Sequence, residues 1–492
     1  MQFNVRSSVG LVAVAIIALG CGDRSAPTSA SSVASVTVVQ PIATVAEGAT
    51  AQDKATLRDA AGHVLTGHTV TWESSDTTIA TVSAAGLVTG IAAGGPATIT
   101  AESEGKSGVA TITVAADRSV CTGGKPIVAV LVDSRFSTSI DAGLDRMEHD
   151  ICDDGWTAAE LRSEFATPLE LREHLIALYD TTAHALDGVI LVGDFPKAYQ
   201  FVVLKSDNPN IPDTREETIS LQYYSDLDGV FAASPGYASP GGHDFSFDLH
   251  SGNVDSELWV GVLPLYQGSL EATEPALIRF FQKDHDYRTG TTQLPRGFLL
   301  VNEILTATTD SEQIATMDAL RNGPYAWTPF SSDPEAQIFF DGTSQNVGQG
   351  YGKLSAGAAD FFVGDAHGSA TTAGELTVAW AESQPIGTFF FWSDGCAMAN
   401  LDVPLNFLTS VLYSATSKVV LAHGTTNESG GMGTNSEGFF GHNIATSMSQ
   451  GDPFGDAVRH DINIPLIFPW SDSREFEIAT GVLLGDPTLR LR

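Results

Sequence analysis

The feature that most constrains the fold is a set of short apolar runs that recur after residue 117. Each run is bounded by turn residues and is apolar on both faces, which predicts strands covered by helices on both sides of a sheet. The runs are 127–132, 188–192, 297–301, 358–363, 386–392 and 418–422. Helical patterns lie between them, at 168–178, 270–287, 311–321, 405–414 and 441–449. This alternation predicts a doubly wound α/β domain with a mostly parallel sheet.

Residues 35–115 have a different pattern, with short runs rich in Val, Thr and Ile between Gly, Ser and Asp. Runs of this kind predict a small all-β sandwich. The order of the segments 70–76, 79–82, 86–90 and 95–101 resembles the group 2 bacterial immunoglobulin-like (Ig-like) domain. The resemblance implies a spacer or adhesive module that binds a cell-surface ligand, with Trp72 as a core residue.

Composition agrees with a folded, multidomain chain and excludes one class of partner. The 492 residues exceed the size of a single core, and a hydrophobic fraction of 43% provides ample apolar surface to bury. The net charge of −34 comes from 59 acidic and 25 basic residues. A nucleic-acid partner is therefore not expected, since it requires a basic surface.

The N-terminus has the layout of an export signal. Arg6 precedes an apolar run at 9–19 that is too short to cross a bilayer. The sequence 18–21 resembles a bacterial lipobox, which implies lipidation of Cys21 and a membrane anchor; plain secretion is the alternative. We therefore expect a lipoprotein signal at 1–20, a flexible tether at 21–33, the Ig-like domain at 34–116 and the α/β domain at 118–492, on the bacterial cell envelope or secreted.

The four cysteines of the chain have different predicted roles. Cys21 is the lipidation candidate, and Cys121 and Cys152 are 31 positions apart in an exported chain, where a disulfide can form. Cys396 then remains as a thiol. In an oxidising compartment such a thiol is either buried and inert or used in chemistry.

Two apolar runs lead into reactive residues. Residues 361–363 are followed by a segment that contains His367, and residues 389–392 by one that contains Cys396, 29 positions later (396 − 367). Ligands of open α/β sheets bind beyond the carboxyl ends of the strands, so the two side chains are expected at the same edge. A thiol attacks as the thiolate, and a neighbouring imidazole stabilises that anion and later protonates the leaving amine. Gly368 allows its backbone N–H to approach a substrate, so the N–H groups of Gly368 and Cys396 are the predicted oxyanion donors.

These residues resemble the gingipain family of cysteine peptidases, which has a caspase-like fold. His367-Gly368-Ser369 matches the histidine motif, and Cys396 after an apolar strand matches the nucleophile motif in the same order. Segments 191–194, 222–229, 258–264 and 484–490 also resemble family segments in order. The resemblance spans residues 125–492 and implies a cysteine endopeptidase that acts on protein or peptide substrates, with no cofactor required for the chemistry.

The sequence departs from the family pattern at three positions. Ala366 stands where the family has Gly, and Trp380, implied as a wall of the substrate pocket, lies 13 positions beyond His367. Arginine-specific members have an Asp where Leu221 stands, before residues 222–224. Trp380 and Leu221 are therefore the candidate substrate-binding residues, and a preference for arginine is not predicted.

Several alternatives remain open on the sequence alone. His423 also follows an apolar strand and competes with His367. Asp226 and Asp228, with Asp255 and Glu257, offer the carboxylates that calcium prefers, and a solvated acidic loop is the other interpretation. The rival function is a cell-surface adhesin whose peptidase-like domain is an inactive scaffold. A serine hydrolase is disfavoured, because no Gly-x-Ser-x-Gly elbow lies beside a suitable strand.

Overall fold

A computed structural model describes residues 32–40, 44–46, 50–92, 94–115, 126–204, 214–303, 337–340, 344–393, 395–427, 444, 447–448, 450–463 and 478–491. The predicted signal, Cys21, Cys121, the predicted helix at 311–321 and most of that at 441–449 lie outside these residues. No helix within the described residues is long and apolar enough to span a membrane.

The first part of the described chain is all-β. Its strands are β1 (Ser35–Val39), β2 (Thr44–Ala46), β3 (Thr50–Gln52), β4 (Lys54–Arg58), β5 (Val64–Leu65), β6 (Thr71–Ser74), β7 (Ala80–Val82), β8 (Leu87–Gly90), β9 (Gly94–Ser103) and β10 (Lys106–Ala115). They form one sheet in the order β2-β10-β9-β6 and two smaller sheets, β1-β4-β5 and β3-β8-β7. Buried and more exposed residues alternate along most of β9, so one face of this strand points into a core. Trp72 is half-buried and packs against both apolar clusters of this part, as expected of a core residue.

The second part is α/β. Its helices are α1 (Asp141–Asp153), α2 (Pro168–Thr181), α3 (Gln222–Ser225), α4 (Leu270–Arg288), α5 (Ser344–Ala356), α6 (Val378–Ser383), α7 (Phe407–Tyr413) and α8 (Phe454–Ile462). Its larger strands are β11 (Ile127–Asp133), β12 (Thr157–Ser163), β13 (Leu186–Gly193), β14 (Tyr199–Leu204), β15 (Thr214–Ile219), β19 (Trp259–Pro264), β20 (Phe298–Asn302), β21 (Gln337–Phe340), β22 (Phe361–Asp365), β26 (Phe390–Ser393), β27 (Leu421–Thr425) and β28 (Gly481–Gly485). Short strands complete it: β16 (Val230–Ala232), β17 (Ser246–Phe247), β18 (Leu249–Ser251), β23 (Gly368–Ser369), β24 (Thr372–Ala373) and β25 (Leu376–Thr377).

Among the described residues the central sheet has ten strands in the order β12-β11-β13-β19-β28-β27-β26-β22-β20-β21. Neighbouring strands run parallel except β27 and β28, which are antiparallel. The mostly parallel sheet of the prediction is therefore present. Its two faces are both buried: Phe362 and Phe391 join one apolar cluster, while their neighbours Phe361 and Phe390 join the other.

The local signals of the sequence explain several element boundaries. Helix α2 begins at Pro168, and the hydroxyl of Thr167 accepts a hydrogen bond from the N–H of Glu170 as its N-cap. The run 386–392 forms a strand only from Phe390 onward, because Ile386 makes just an isolated bridge to Ser417. Each of the six predicted runs overlaps a strand, and five of these strands begin at a residue other than the predicted one.

A buried ion cluster joins α4 to the C-terminal segment. The Arg288 guanidinium contacts the carboxylates of Asp154, Asp284 and Asp486, and Asp284 and Asp486 are fully buried. Burial raises the pKa of Asp284 to about 7. Asp486 is thus a structural residue, as its Gly-Asp turn suggests.

Candidate active site

The predicted dyad lies beyond the ends of two adjacent strands. β22 and β26 are parallel neighbours, with Phe361 opposite Phe390 and Gly364 opposite Ser393. His367 follows the end of β22 by two residues, and Cys396 follows the end of β26 by three. His367 is exposed and Cys396 is a half-buried thiol. Both residues therefore emerge at the carboxyl edge of the sheet, where ligands of such folds bind.

The loops that carry the two residues touch at Gly368. A Cβ atom placed on Gly368 would lie 2.6 Å from the carbonyl oxygen of Cys396, 2.7 Å from its nitrogen and 2.8 Å from the carbonyl carbon of Gly395. Real Cβ atoms do not approach other atoms this closely, so the absence of a side chain permits the contact. The backbone next to the histidine and the backbone of the cysteine are consequently in direct contact.

A small hairpin holds the histidine loop. β23, β24 and β25 pair in order, and the Gly374 N–H donates to the carbonyl of His367 at 2.7 Å. The N–H of Phe407, the first residue of α7, donates to the Ala370 carbonyl at 2.7 Å. Helix α7 thereby fixes the far side of the same loop.

Glu303 is a residue of this region that sequence reasoning missed. It follows β20, the neighbour of β22, and its carboxylate accepts hydrogen bonds from the Tyr351 hydroxyl and, at 3.1 Å, from the Glu375 N–H. A Cβ atom on Gly374 would collide with this carboxylate. Glu303 thus supports the hairpin whose N–H group holds His367. The signal that could have found it is its place after an apolar run at the carboxyl edge.

The cysteine loop is tied to strand β14. Asp402 accepts hydrogen bonds from the Tyr199 hydroxyl at 2.8 Å and from the Lys197 Nζ at 3.0 Å. Lys197 also donates to the Leu401 carbonyl at 2.8 Å. Burial, followed by the contact with Asp402, raises the pKa of Tyr199 far above its usual range. Hydrogen bonds to Lys197 and to Tyr199 of β14, which lies outside the central sheet, therefore anchor the loop after Cys396.

His423, the competing histidine, has a different environment. It lies in the middle of β27, is 5% exposed and stacks on Trp392 with a ring distance of 3.8 Å. Burial lowers its pKa to about 3. An imidazole that stays neutral and is enclosed within the sheet is poorly suited to exchange protons with a substrate.

The two candidate substrate-binding residues differ in position. Trp380 lies half-buried on α6, and its ring is 6.5 Å from that of Tyr351, which contacts Glu303. Leu221 is only 5% exposed and belongs to the main apolar cluster. Leu221 is the N-cap of α3 and its side chain lies in the core, so its role as a substrate contact stays a prediction.

Of the two cysteines of the predicted disulfide, the structure describes Cys152. Cys152 is disulfide-bonded, whereas the expected partner Cys121 lies outside the described residues.

Carboxylate oxygens of Asp226, Asp228 and Glu257 lie within 4.8 Å of one another, and Asp226 is fully buried. His250 Nε2 is 2.6 Å from Asp226 Oδ2, and burial raises the pKa of Glu257, with the two aspartates adding to the effect. Asp255 is not part of this group.

Comparison with known proteins identifies the N-terminal part. Residues 32–114 match the family model of the bacterial Ig-like domain (group 2). This segment is a group 2 bacterial Ig-like domain. A part of the surface layer protein SbsC, domains 1–6, is 33% identical to this chain over 17% of this chain and 13% of that chain, with a TM-score of 0.16. No curated protein matches the chain by sequence.

Solved structures that match most of the chain include gingipains. The Arg specific cysteine proteinase gingipain R (RgpB) has a TM-score of 0.46 and 13% identity, and the match covers 75% of this chain and 78% of that chain. A complex of Porphyromonas gingivalis RgpB pro- and mature domains has the same TM-score at 14% identity, over 74% and 79% of the two chains. Likeness at such identities concerns the fold alone. The chemistry of this chain is therefore argued from its own residues.

Proposed function

We propose that residues 118–492 form a caspase-like cysteine endopeptidase in which Cys396 is the nucleophile and His367 the proton carrier. The observation that carries the proposal is the contact at Gly368, which joins the histidine loop to the cysteine backbone at the carboxyl edge of two parallel strands. The two loops that meet there carry a thiol, an imidazole and two backbone N–H groups, which are the parts that acyl transfer needs.

In the proposed mechanism the Cys396 thiolate attacks the scissile carbonyl of a bound peptide. The N–H groups of Gly368 and Cys396 donate to the oxygen that becomes negative in the tetrahedral intermediate. His367, now an imidazolium, gives its proton to the leaving amine, and an acyl-enzyme remains. His367 then takes a proton from water, which attacks the thioester and releases the second product. Trp380 stays the candidate wall of the substrate pocket.

The test compares wild type with Cys396→Ala and His367→Ala, with fluorescein-labelled casein as substrate and iodoacetamide as thiol label. We expect both variants to lose hydrolysis and only Cys396→Ala to lose the label at this position. His423→Phe is the matched control, because it removes the competing imidazole. Casein hydrolysis that survives Cys396→Ala would refute the proposal. An inactive wild type would instead favour the adhesin with an inactive scaffold.

We also propose that the chain is exported and that its Ig-like domain is a binding or spacer module for a cell-surface ligand. The match over residues 32–114 and the export-like pattern of residues 1–20 support this. Lipidation of Cys21 is the finer proposal, with plain secretion as the alternative. Metabolic labelling with palmitate separates the two, since Cys21→Ser should abolish the label on a lipoprotein.

We propose that Asp226 and Asp228 bind a structural calcium ion, with Glu257 as a third ligand. The fit is supported by three carboxylates within 4.8 Å, the hard oxygen ligands that calcium prefers. The ion would cross-link the loop after α3 and take no part in the chemistry. Calorimetric titration of the chain with calcium should give binding that Asp228→Asn weakens; equal binding by this variant would contradict the assignment.

A further inference from the structure

The last residue of β27 contacts the peptide bond that precedes the nucleophile. Thr425 is buried, at 5% exposure, and its Oγ1 lies 3.0 Å from the carbonyl oxygen of Gly395. The same hydroxyl lies 2.9 Å from the carbonyl of Asn427. A single hydroxyl proton is therefore shared between these two carbonyls, one of which belongs to the Gly395–Cys396 peptide group.

That peptide group has its carbonyl at Gly395 and its N–H at Cys396. A peptide unit is planar, and in the trans form its C=O and N–H point in opposite directions. A donor that holds the Gly395 carbonyl therefore also sets the direction of the Cys396 N–H. A hydrogen bond to a carbonyl further polarises the amide, so the N–H at the other end becomes a stronger donor.

The backbone around this contact is held in the same way. The Ala399 N–H donates to the Thr425 carbonyl at 2.9 Å, and the Ala397 N–H donates to the Asn427 carbonyl. Ala397 has φ +56°, a left-handed conformation that is unfavourable for a residue with a side chain. A strained position of this kind persists only when its surroundings determine it. The end of β27 supplies those surroundings directly after the nucleophile.

We propose that Thr425 is a positioning residue that aims the Cys396 N–H at the developing oxyanion. The inference rests on the proposed peptidase function and adds a residue to it. The proposed role of Thr425 is exerted through the peptide plane between Gly395 and Cys396, whose carbonyl its hydroxyl contacts. Its hydroxyl should therefore matter for acyl transfer and not for reactions of the thiol that form no oxyanion.

A matched control is the next residue, Thr426. Its buried hydroxyl lies 2.6 Å from Thr218 Oγ1, 3.0 Å from the Ile219 carbonyl and 3.1 Å from the Thr480 carbonyl. These contacts lead to β15 and to the residue before β28. Replacement of Thr426 by valine removes an equally buried hydroxyl from the same segment without altering the Gly395 contact.

The experiment uses the full chain and the variants Thr425→Val, Thr425→Ser and Thr426→Val. Hydrolysis is measured with fluorescein-labelled casein, and thiol reactivity is measured as the rate of alkylation of Cys396 by iodoacetamide, followed by mass spectrometry. Alkylation is a displacement at carbon and develops no oxyanion. Thr425→Val should hydrolyse casein roughly 10- to 100-fold more slowly, part of the loss typical of a removed oxyanion donor. Its alkylation rate should stay near that of wild type, Thr425→Ser should restore most hydrolysis, and Thr426→Val should retain it.

Two outcomes would overturn the inference alone: wild-type hydrolysis by Thr425→Val, or an equal loss of hydrolysis and alkylation. Thr425→Ala removes the hydroxyl without a new methyl group against the Gly395 carbonyl, so it serves if the valine variant does not fold. Wild type that is alkylated at Cys396 but hydrolyses no casein would instead refute the peptidase proposal, and the inference with it.

Discussion

Replacement of Gly368 by alanine tests the contact between the two loops. The added methyl group would lie 2.6 to 2.8 Å from three backbone atoms, the oxygen and nitrogen of Cys396 and the carbonyl carbon of Gly395. Backbone cannot rotate away as the end of a flexible side chain can. The two loops must therefore separate, and both proposed oxyanion donors lie on the separating surfaces.

The size of the effect follows from these distances. Ordinary contacts begin at about 3.4 Å, so the loops must part by about 0.6 to 0.8 Å. A displacement near 1 Å at a reacting centre costs about 100-fold in rate, and loss of an oxyanion donor costs about 100- to 1,000-fold. We therefore expect Gly368→Ala to lower kcat/KM by about 100- to 1,000-fold, which corresponds to about 3 to 4 kcal/mol of transition-state stabilisation.

The assay is casein hydrolysis, with thermal unfolding measured in parallel. Gly352→Ala is the matched control, because at this exposed glycine of α5 no atom apart from its chain neighbours and its own helix backbone lies within 4 Å of the ideal Cβ position. That variant should keep full activity and gain up to about 1 kcal/mol of stability, since alanine favours a helix. A Gly368→Ala protein that hydrolyses casein within about threefold of wild type would refute the reasoning that places the reacting centre at this contact.

Three further predictions concern single side chains elsewhere in the described structure. His423→Phe should keep casein hydrolysis near wild type, because the imidazole is neutral and enclosed; a loss comparable to that of His367→Ala would reverse the assignment of the two histidines. Arg288→Met should lower the free energy of unfolding by about 3 to 5 kcal/mol in a denaturant titration, since it leaves buried carboxylates without their cation; a change below about 1 kcal/mol would contradict this. In the Ig-like domain, burial raises the pKa of Asp53 from 3.8 to about 6. The folded domain therefore binds the proton more tightly than the unfolded chain does, and its free energy of unfolding falls by up to about 3 kcal/mol as pH rises from 4 to 7. Asp53→Asn should therefore stabilise that domain at pH 7 and have little effect at pH 4 in calorimetry, and equal effects at both pH values would exclude the explanation.

The strands and the positions of His367 and Cys396 after them could be predicted because they depend on local sequence. Apolar runs with turn residues at both ends mark central strands wherever helices cover both faces of a sheet. His367 and Cys396 directly follow two such runs, so their placement required only that the runs be neighbours. The structure pairs those runs as β22 and β26.

The supporting residues could not be predicted in this way. Glu303, just after β20, and Thr425, at the end of β27, form hydrogen bonds with other segments, and the partner of each depends on strand order and register. The apolar runs contain little information on strand order or on register. Leu221 shows the limit of a short motif: alignment made it a candidate substrate contact, and the structure places its side chain among buried residues.

The contrast between the two histidines shows which part of the sequence pattern matters. His367 and His423 both accompany apolar runs, and both precede a glycine. His423 is the third residue of β27, so its side chain faces one side of a sheet that helices cover, and burial keeps it neutral. His367 lies two residues past the end of β22, where the chain has left the sheet and the residue is exposed. Proton transfer requires an imidazole that reaches both solvent and substrate, so the distance past the strand end favours His367 as the proposed partner of Cys396.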